Sequence, residues 1–534
     1  MEPALERIRD ELRSIQRLPG LSRIGLGVRR LDHELWKHGR ARLDAHRANG
    51  AGAPSRQAGD GPDVYLASHV YDQGGHTALI GDFVQARRDH ATGAHLILTN
   101  ASKKDPPALT AEALARTGIP RERTTSLQGV SLDDRLDALL ARLLELGPGR
   151  LFLFHHHDDP VAVAACQAEI CADCVLVHHN DGRPSFGLHM PDITLIELNP
   201  LGAAIARAQR LSPELLPLTC PDPGPRPHGF LRNGALVTAT SGTPLKFDGD
   251  YAYTYPEAIA LILKTTGGRH IHIGPLNDEL TGGIDQALRR EGIDPRGFVH
   301  RPWVPSVAKA LWDCDCDVYV ASFPTDGARA LVEVAASGTP YLAHTRRPHR
   351  NPENDPMTGA GTGWWRNWDE LEARLGELSD RRRLETRSEQ MRQRYMRFHH
   401  PSVFERTLDD ILAGKEGLAD PQAAGRDRAM LALITAALAD DVIEESAVSR
   451  NALGAFRRDS DAFRRDIEAS ATRFRAGEEA ARSAVEGNLL KAIGQSDRAT
   501  SEKVERLAGE QATLAEAHGR LSEAHGRLGE AHRQ

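Results

Sequence analysis

The chain changes its hydrophobic rhythm twice. Over residues 1–48, apolar positions in LERIRDELRSIQRL recur at helical spacing, and an N-terminal helical segment is expected. The small, Gly- and Pro-rich stretch that follows reads as a linker over 49–62. From Asp63, short runs of apolar residues alternate with amphipathic ones. DVYLASHV, AHLILTN, RLFLFHHH, CVLVHH and DITLIELN predict strands, and TALIGDFVQARR, RLDALLARLLEL and DPVAVAACQAEI predict helices between them. Strands this apolar belong to a parallel sheet covered by helices on both faces.

PDPGPRP, Pro221–Pro227, interrupts the pattern as an interdomain connection would. A second series then runs GALVTATSG, YPEAIALILKTT, RHIHIGP, GIDQALRREG, GFVHRP, SVAKALWDC, DVYVASF, LVEVAAS and PYLAH, strand and helix in turn. The expected class is α/β: two Rossmann-like, doubly wound domains over 63–222 and 228–415, facing a cleft. Such sheets bind ligands beyond the carboxyl ends of their strands. SDRRRLETRSEQMRQRYMRFHHPSVFERTLDDIL reads as a helical tail of the second domain. Residues 418–534 read as helix throughout. There Leu507, Leu514, Leu521 and Leu528 recur every seven residues, with Ala517, Ala524 and Ala531 three after the last three of them. That is a short coiled-coil seam, and self-association or a partner helix through 500–534 is expected. His518, His525 and His532 share the period and read as a solvated face.

Composition narrows the function classes. A net charge of −7 over 534 residues gives no bulk reason to bind nucleic acid. The first residues, MEPALERIRDELRSIQ, are charged and amphipathic, unlike a signal peptide, and no run is apolar enough to span a bilayer. A cytoplasmic protein is expected. Cys166, Cys171 and Cys174 have the C-x4-C-x2-C spacing of iron–sulfur ligands, yet they fall on a helix running into a buried strand and read as core thiols. Cys314 and Cys316 read the same way.

Candidate chemistry lies at strand ends. Gly74-Gly75 close the first strand's loop, where backbone can approach a ligand, and His76 opens a helix whose start favours an anion. His155, His156, His157 and Asp158 follow another strand. His178, His179 and Asp181 follow the next. These groups suit a polar acceptor-side cleft or acid–base work better than a metal, because successive strand side chains point to opposite faces. In the second domain, Ser241, Gly242 and Thr243 end a strand just before Lys246, a small turn plus a point charge suited to a diphosphate. His272 ends a neighbouring strand and joins that donor-side set. Thr325, Asp326, Gly327, Ala328 and Arg329 lead into a helix whose amides can meet phosphate. Glu333, inside the apolar run ALVEVAA, can accept the two hydroxyls of a ribose.

The order of these motifs resembles the GT-B glycosyltransferases. Phe323–Glu333 is similar to the F-P-F-G-N-T-N-G-x-x-D pattern of glycosyltransferase family 41, with Glu333 at its acidic position and Gly338-Thr339-Pro340 following. That family includes O-linked N-acetylglucosamine transferases and bacterial cytoplasmic protein N-glycosyltransferases. Its N-T-N segment is here Gly327-Ala328-Arg329. The resemblance implies transfer of a sugar from a nucleotide diphosphate sugar, UDP-linked, to a protein or glycan acceptor with inversion. It implies Lys246 at the diphosphate, Glu333 at the ribose, Phe298–Trp303 beside the base, His76 or Asp181 as base, and neither metal nor cofactor. Two alternatives stay open: a retaining, family 4-like enzyme acting on a glycan or lipid-linked acceptor, and a non-enzymatic GT-B scaffold working through its coiled-coil tail.

Overall fold

A computed structural model describes residues 4–17, 26–48, 61–88, 93–101, 108–179, 183–232, 234–247, 251–325, 327–344 and 361–419. Residues 49–60 of the linker, Asp181, Asp326 and the coiled-coil repeat lie outside the described residues. Seven strands form the first sheet: β1 (Asp63–Ala67), β2 (His95–Leu98), β3 (Thr124–Ser126), β4 (Arg150–Phe154), β5 (Cys174–His178), β6 (Ile193–Glu197) and β7 (Pro213–Leu215). Six form the second: β8 (Val237–Ser241), β9 (Arg269–Ile273), β10 (Phe298–Arg301), β11 (Val318–Val320), β12 (Tyr341–His344) and β13 (Thr362–Trp365). The orders are β3-β2-β1-β4-β5-β6-β7 and β10-β9-β8-β11-β12-β13. Every pairing is parallel. Strand order therefore reverses between β1 and β4, and again between β8 and β11. A crevice opens at such reversals.

The apolar strands are buried as a two-faced covering demands: all five residues of β1 are buried, and so are all five of β5. Helix Leu132–Leu146 starts on a capping box of Ser131 and Asp134 and stops at Gly147, whose φ of 55° favours glycine. Several elements differ from expectation. The HHH run lies after β4 rather than within it, and DPVAVAACQAEI forms helix only over Pro160–Ala164. Helices Ala111–Thr117 and Pro200–Ala208, and strands β3, β7 and β13, were not anticipated.

Two segments join the first domain rather than standing apart. In helix Ala4–Gln16, Leu5, Ile8, Leu12 and Ile15 are buried, and helix Arg29–Ala48 packs so closely that a Cβ at Gly39 would lie 1.8 Å from the Ala164 carbonyl oxygen. Buried Asp32 accepts from the amides of Gly187 and His189 at 2.7 and 2.9 Å, tying this helix to the chain beyond β5. Helix Pro401–Leu412 was expected with the second domain. Its Phe404, Leu408 and Ile411 instead share the first domain's core with Tyr65, Phe83 and Phe152.

His272, expected at the donor, is fully buried in the second core, its Nδ1 2.7 Å from the Tyr255 hydroxyl. His270 lies beside it, 2.8 Å from Thr238 Oγ1. Burial holds both imidazoles neutral, lowering His272 to about 4 and His270 to about 3. All six cysteines are free and buried, as core thiols should be.

Two outcomes follow from this packing. Phe404→Ala should cost about 3–5 kcal/mol in chemical denaturation, since the ring fills the first domain's core; a near-neutral change would place the helix elsewhere. A histidine with a lowered folded pKa contributes stability that is complete above the unfolded value near 6.5. That stability is lost as pH falls toward the folded value, because the unfolded chain binds the proton first. Between pH 6.5 and 5 the His270→Asn variant should therefore lose about 2 kcal/mol less stability than the wild type. Parallel pH profiles would contradict the burial argument.

Candidate functional site

The carboxyl ends of β1, β4 and β5 bring imidazoles together. His69 and Tyr71 follow β1, His76 opens helix Gly75–Ala86, His156 follows β4 and His179 follows β5. Ring centroids lie 4.6 Å apart for His76 and His179, 5.0 Å for His76 and His156, and 5.6 Å for His69 and His156. Tyr71 contacts the group, its hydroxyl 3.3 Å from His156 Nε2. Close packing of so many cations is untenable. Burial is the larger cause, and it lowers His76 to about 4 and His156 to about 2, with neighbouring imidazoles adding to the effect.

The tautomer of His76 is set by its surroundings. Nε2 lies 2.8 Å from the Phe154 carbonyl oxygen, which can only accept, so Nε2 carries the proton and Nδ1 the lone pair. Nδ1 has no hydrogen-bond partner among the described residues. The loop leading to His76 is held from outside: Arg116 donates to the carbonyls of Tyr71, Asp72 and Gly74 at 3.2, 2.7 and 2.7 Å. Gly74 has a φ of 101°, which a side chain would strain.

Other residues expected in this cleft are used by the fold. His155 donates to the Phe186 carbonyl at 3.2 Å, and His178 lies between Glu197 at 2.8 Å and Ser185 at 3.2 Å, both deeply buried. Asp158 pairs with Arg13 of the first helix at 2.7 Å, and the backbone carbonyl of His157 accepts from the Phe186 amide at 2.9 Å. His69 and Tyr71 went unnoticed in the sequence. They follow the first strand as His155–His157 follow the fourth, and the same strand-end criterion finds them.

On the second domain, Ser241 turns inward, its Oγ 2.7 Å from the Tyr319 hydroxyl, and the Gly242 amide donates to the Ile273 carbonyl at 3.0 Å. Thr243 is exposed and begins the single turn Pro244–Lys246. The Lys246 carbonyl accepts from the Thr325 amide at 3.4 Å, joining the two donor-side loops. Lys246 Nζ lies so close to Gly327 that a Cβ there would be 3.4 Å from it. Glu333 has a structural partner: Oε2 accepts from the Val307 amide at 2.7 Å and caps helix Val307–Asp313. Trp303, expected near a base, is 48% exposed beyond β10.

The two domains touch at the loops just described. A Cβ on Gly75 would meet the Cβ of Arg329 at 3.5 Å, so the first turn of helix Gly75–Ala86 lies against the first turn of helix Ala328–Ala336. Neither helix has a capping side chain: Gly74 and Gly327 occupy the cap positions. Helices elsewhere in the same domains start on Thr110, Ser131, Asp159, Asn199, Thr254, Asn277 and Ser306, each accepting from the first turn. Two uncapped, positively polarised helix ends thus stand side by side, with the Lys246 ammonium next to one of them. Such an arrangement suits an anion that the amides can bond directly.

No protein-family model matches the chain, and no curated protein matches it. Among solved structures, a glycosyltransferase from Rickettsia africae is similar at 7% identity, over 66% of this chain and 98% of that one, with a TM-score of 0.50. The HepE protein of Anabaena in complex with UDP and glucose aligns at 13% identity over 66% of this chain and 100% of its own, with a TM-score of 0.48. An O-GlcNAc transferase of Thermobaculum terrenum aligns at 13% identity over 75% of this chain and 77% of its own, with a TM-score of 0.44. At such identities the likeness is one of fold, and the fold is GT-B: two Rossmann-like sheets in series.

Proposed function

We propose that this chain is a glycosyltransferase that moves a sugar from a nucleotide diphosphate sugar to a neutral acceptor group. The observation that carries the reading is the pair of bare helix ends at Gly75 and Ala328 beside Lys246. A diphosphate there receives amide hydrogen bonds from both domains and a point charge from Lys246. In the transfer step, the acceptor oxygen or nitrogen attacks the anomeric carbon as the bond from that carbon to the diphosphate oxygen breaks. The departing nucleoside diphosphate keeps the electron pair, and Lys246 and the amides stabilise the charge as it develops. The acceptor proton passes to His76 Nδ1, whose lone pair the tautomer leaves without a partner among the described residues. The nearby diphosphate favours the imidazolium so formed, offsetting the burial that lowers His76.

The finer assignments follow the sequence resemblance to family 41: UDP as the nucleotide, a protein side chain as acceptor, and inversion by one displacement; a cytoplasmic location follows from the charged N-terminal sequence. Glu333 Oε1 makes no hydrogen bond to a described residue and is available to a ribose hydroxyl, while Oε2 keeps its cap. Trp303 offers an exposed ring to the base. Positive charge from Lys246 and two helix ends does work for which many transferases use a metal ion. No helix among the described residues is long and apolar enough to cross a membrane.

An assay of donor hydrolysis and transfer across nucleotide sugars tests the reading. Lys246→Ala should lower turnover by about 10²-fold or more with an unchanged urea midpoint. Wild-type turnover in that variant would remove Lys246 from the site, and no turnover of any nucleotide sugar by the unmodified protein would remove the function.

A further inference from the structure

Arg329 is the second residue of helix Ala328–Ala336, where the family 41 pattern places an amide side chain. It was expected to bind the donor, yet its guanidinium turns away into the other domain. Nη2 lies 3.2 Å from Asp82 Oδ1, Nη1 bonds Asp82 Oδ2, and Nη1 also donates to the Thr219 carbonyl at 2.9 Å. The two side chains are only 15% and 13% exposed. The pair is two-pronged and shielded, the kind whose geometry is most restrictive.

Asp82 lies seven residues beyond Gly75, about two turns down the same helix. It is therefore too far along to touch an anion at the helix start. Burial raises its carboxyl to about 6, against the opposing pull of Arg329, and Glu333 and Arg116 also face it. The two bare helix ends would by themselves repel each other, since both are positive. An attractive charge pair crosses the same interface one to two turns below, where Arg329 spans from one helix to the other.

We propose that Arg329 and Asp82 are positioning residues for the donor diphosphate, holding the two helix ends at the spacing that lets one diphosphate bond both. This rests on the cleft being the donor site. Neither residue touches the ligand; each acts through the helix that carries it.

Calorimetric titration with UDP tests the pair in the full chain. Asp82→Asn and Arg329→Gln should each weaken UDP binding about tenfold, because a displacement of an ångström at such a site is costly. The double variant should bind no more weakly than the poorer single one, since both remove the same contact. Leu139→Ala, on helix Leu132–Leu146, loosens the first domain's core away from the pair and should leave the affinity of the folded protein unchanged. Unchanged affinity in Asp82→Asn overturns the proposal. So does tighter binding, which would make Arg329 an anion ligand restrained by Asp82, and so does an equal loss in Leu139→Ala. A wild-type protein that binds no UDP overturns the pair's role and the donor-site reading together, whereas failure of the variants alone overturns only the former.

Discussion

A parallel strand cannot return to its sheet through a hairpin; the chain must cross over, and here it crosses through helices. That constraint sends every strand of both sheets in one direction and gathers the loops after them on one side. It explains why residues as distant as His69, His156 and His179 meet, and why Lys246 and Gly327 do. It also places helix starts, rather than helix ends, on that side. The positive ends of two helix dipoles reach the cleft for the same reason that the histidines do. Those two ends begin at glycines without caps, while the helices that start on Thr110, Ser131, Asp159, Asn199, Thr254, Asn277 and Ser306 are closed by their own side chains.

Holding two positive ends together requires an attraction elsewhere. The Arg329–Asp82 pair supplies one at the interface, and helix Pro401–Leu412 supplies another by carrying the chain back from the second domain into the first domain's core. Cleft geometry is thus a property of both sheets at once. The N-terminal helices act at a further remove: Asp32 and Arg13 hold the loops beyond β5 and β4, against which the imidazoles rest.

Much of the fold was legible because burial on two faces leaves a plain signature. YPEAIALILKTT is helix Tyr255–Thr266, starting on the Thr254 cap and ending at Gly267, whose φ is 59°. The elements that escaped notice lack that signature. Strand β3 is three half-buried residues, TTS, and β7 begins with a proline, so neither carries an apolar run. Side-chain direction was less legible still. His155 and His156 are neighbours in sequence, yet one is fastened to Phe186 and the other joins the cluster. Arg329 followed the motif in position and departed from it in partner, because Asp82 lies 247 residues away in the chain. Glu333 had a structural reason for its place in an apolar helix, the amides of Val307 and Ala308, which no local pattern reveals.

The central claim is that the cleft binds a diphosphate through amides and Lys246, and thermal unfolding with three ligands tests it most directly. A ligand that binds only the folded chain raises its unfolding temperature. UDP and inorganic pyrophosphate should each stabilise the protein, uridine should do so little, and Lys246→Ala should abolish the effect of pyrophosphate. Equal stabilisation by uridine and UDP, or none by any of the three, would contradict the account.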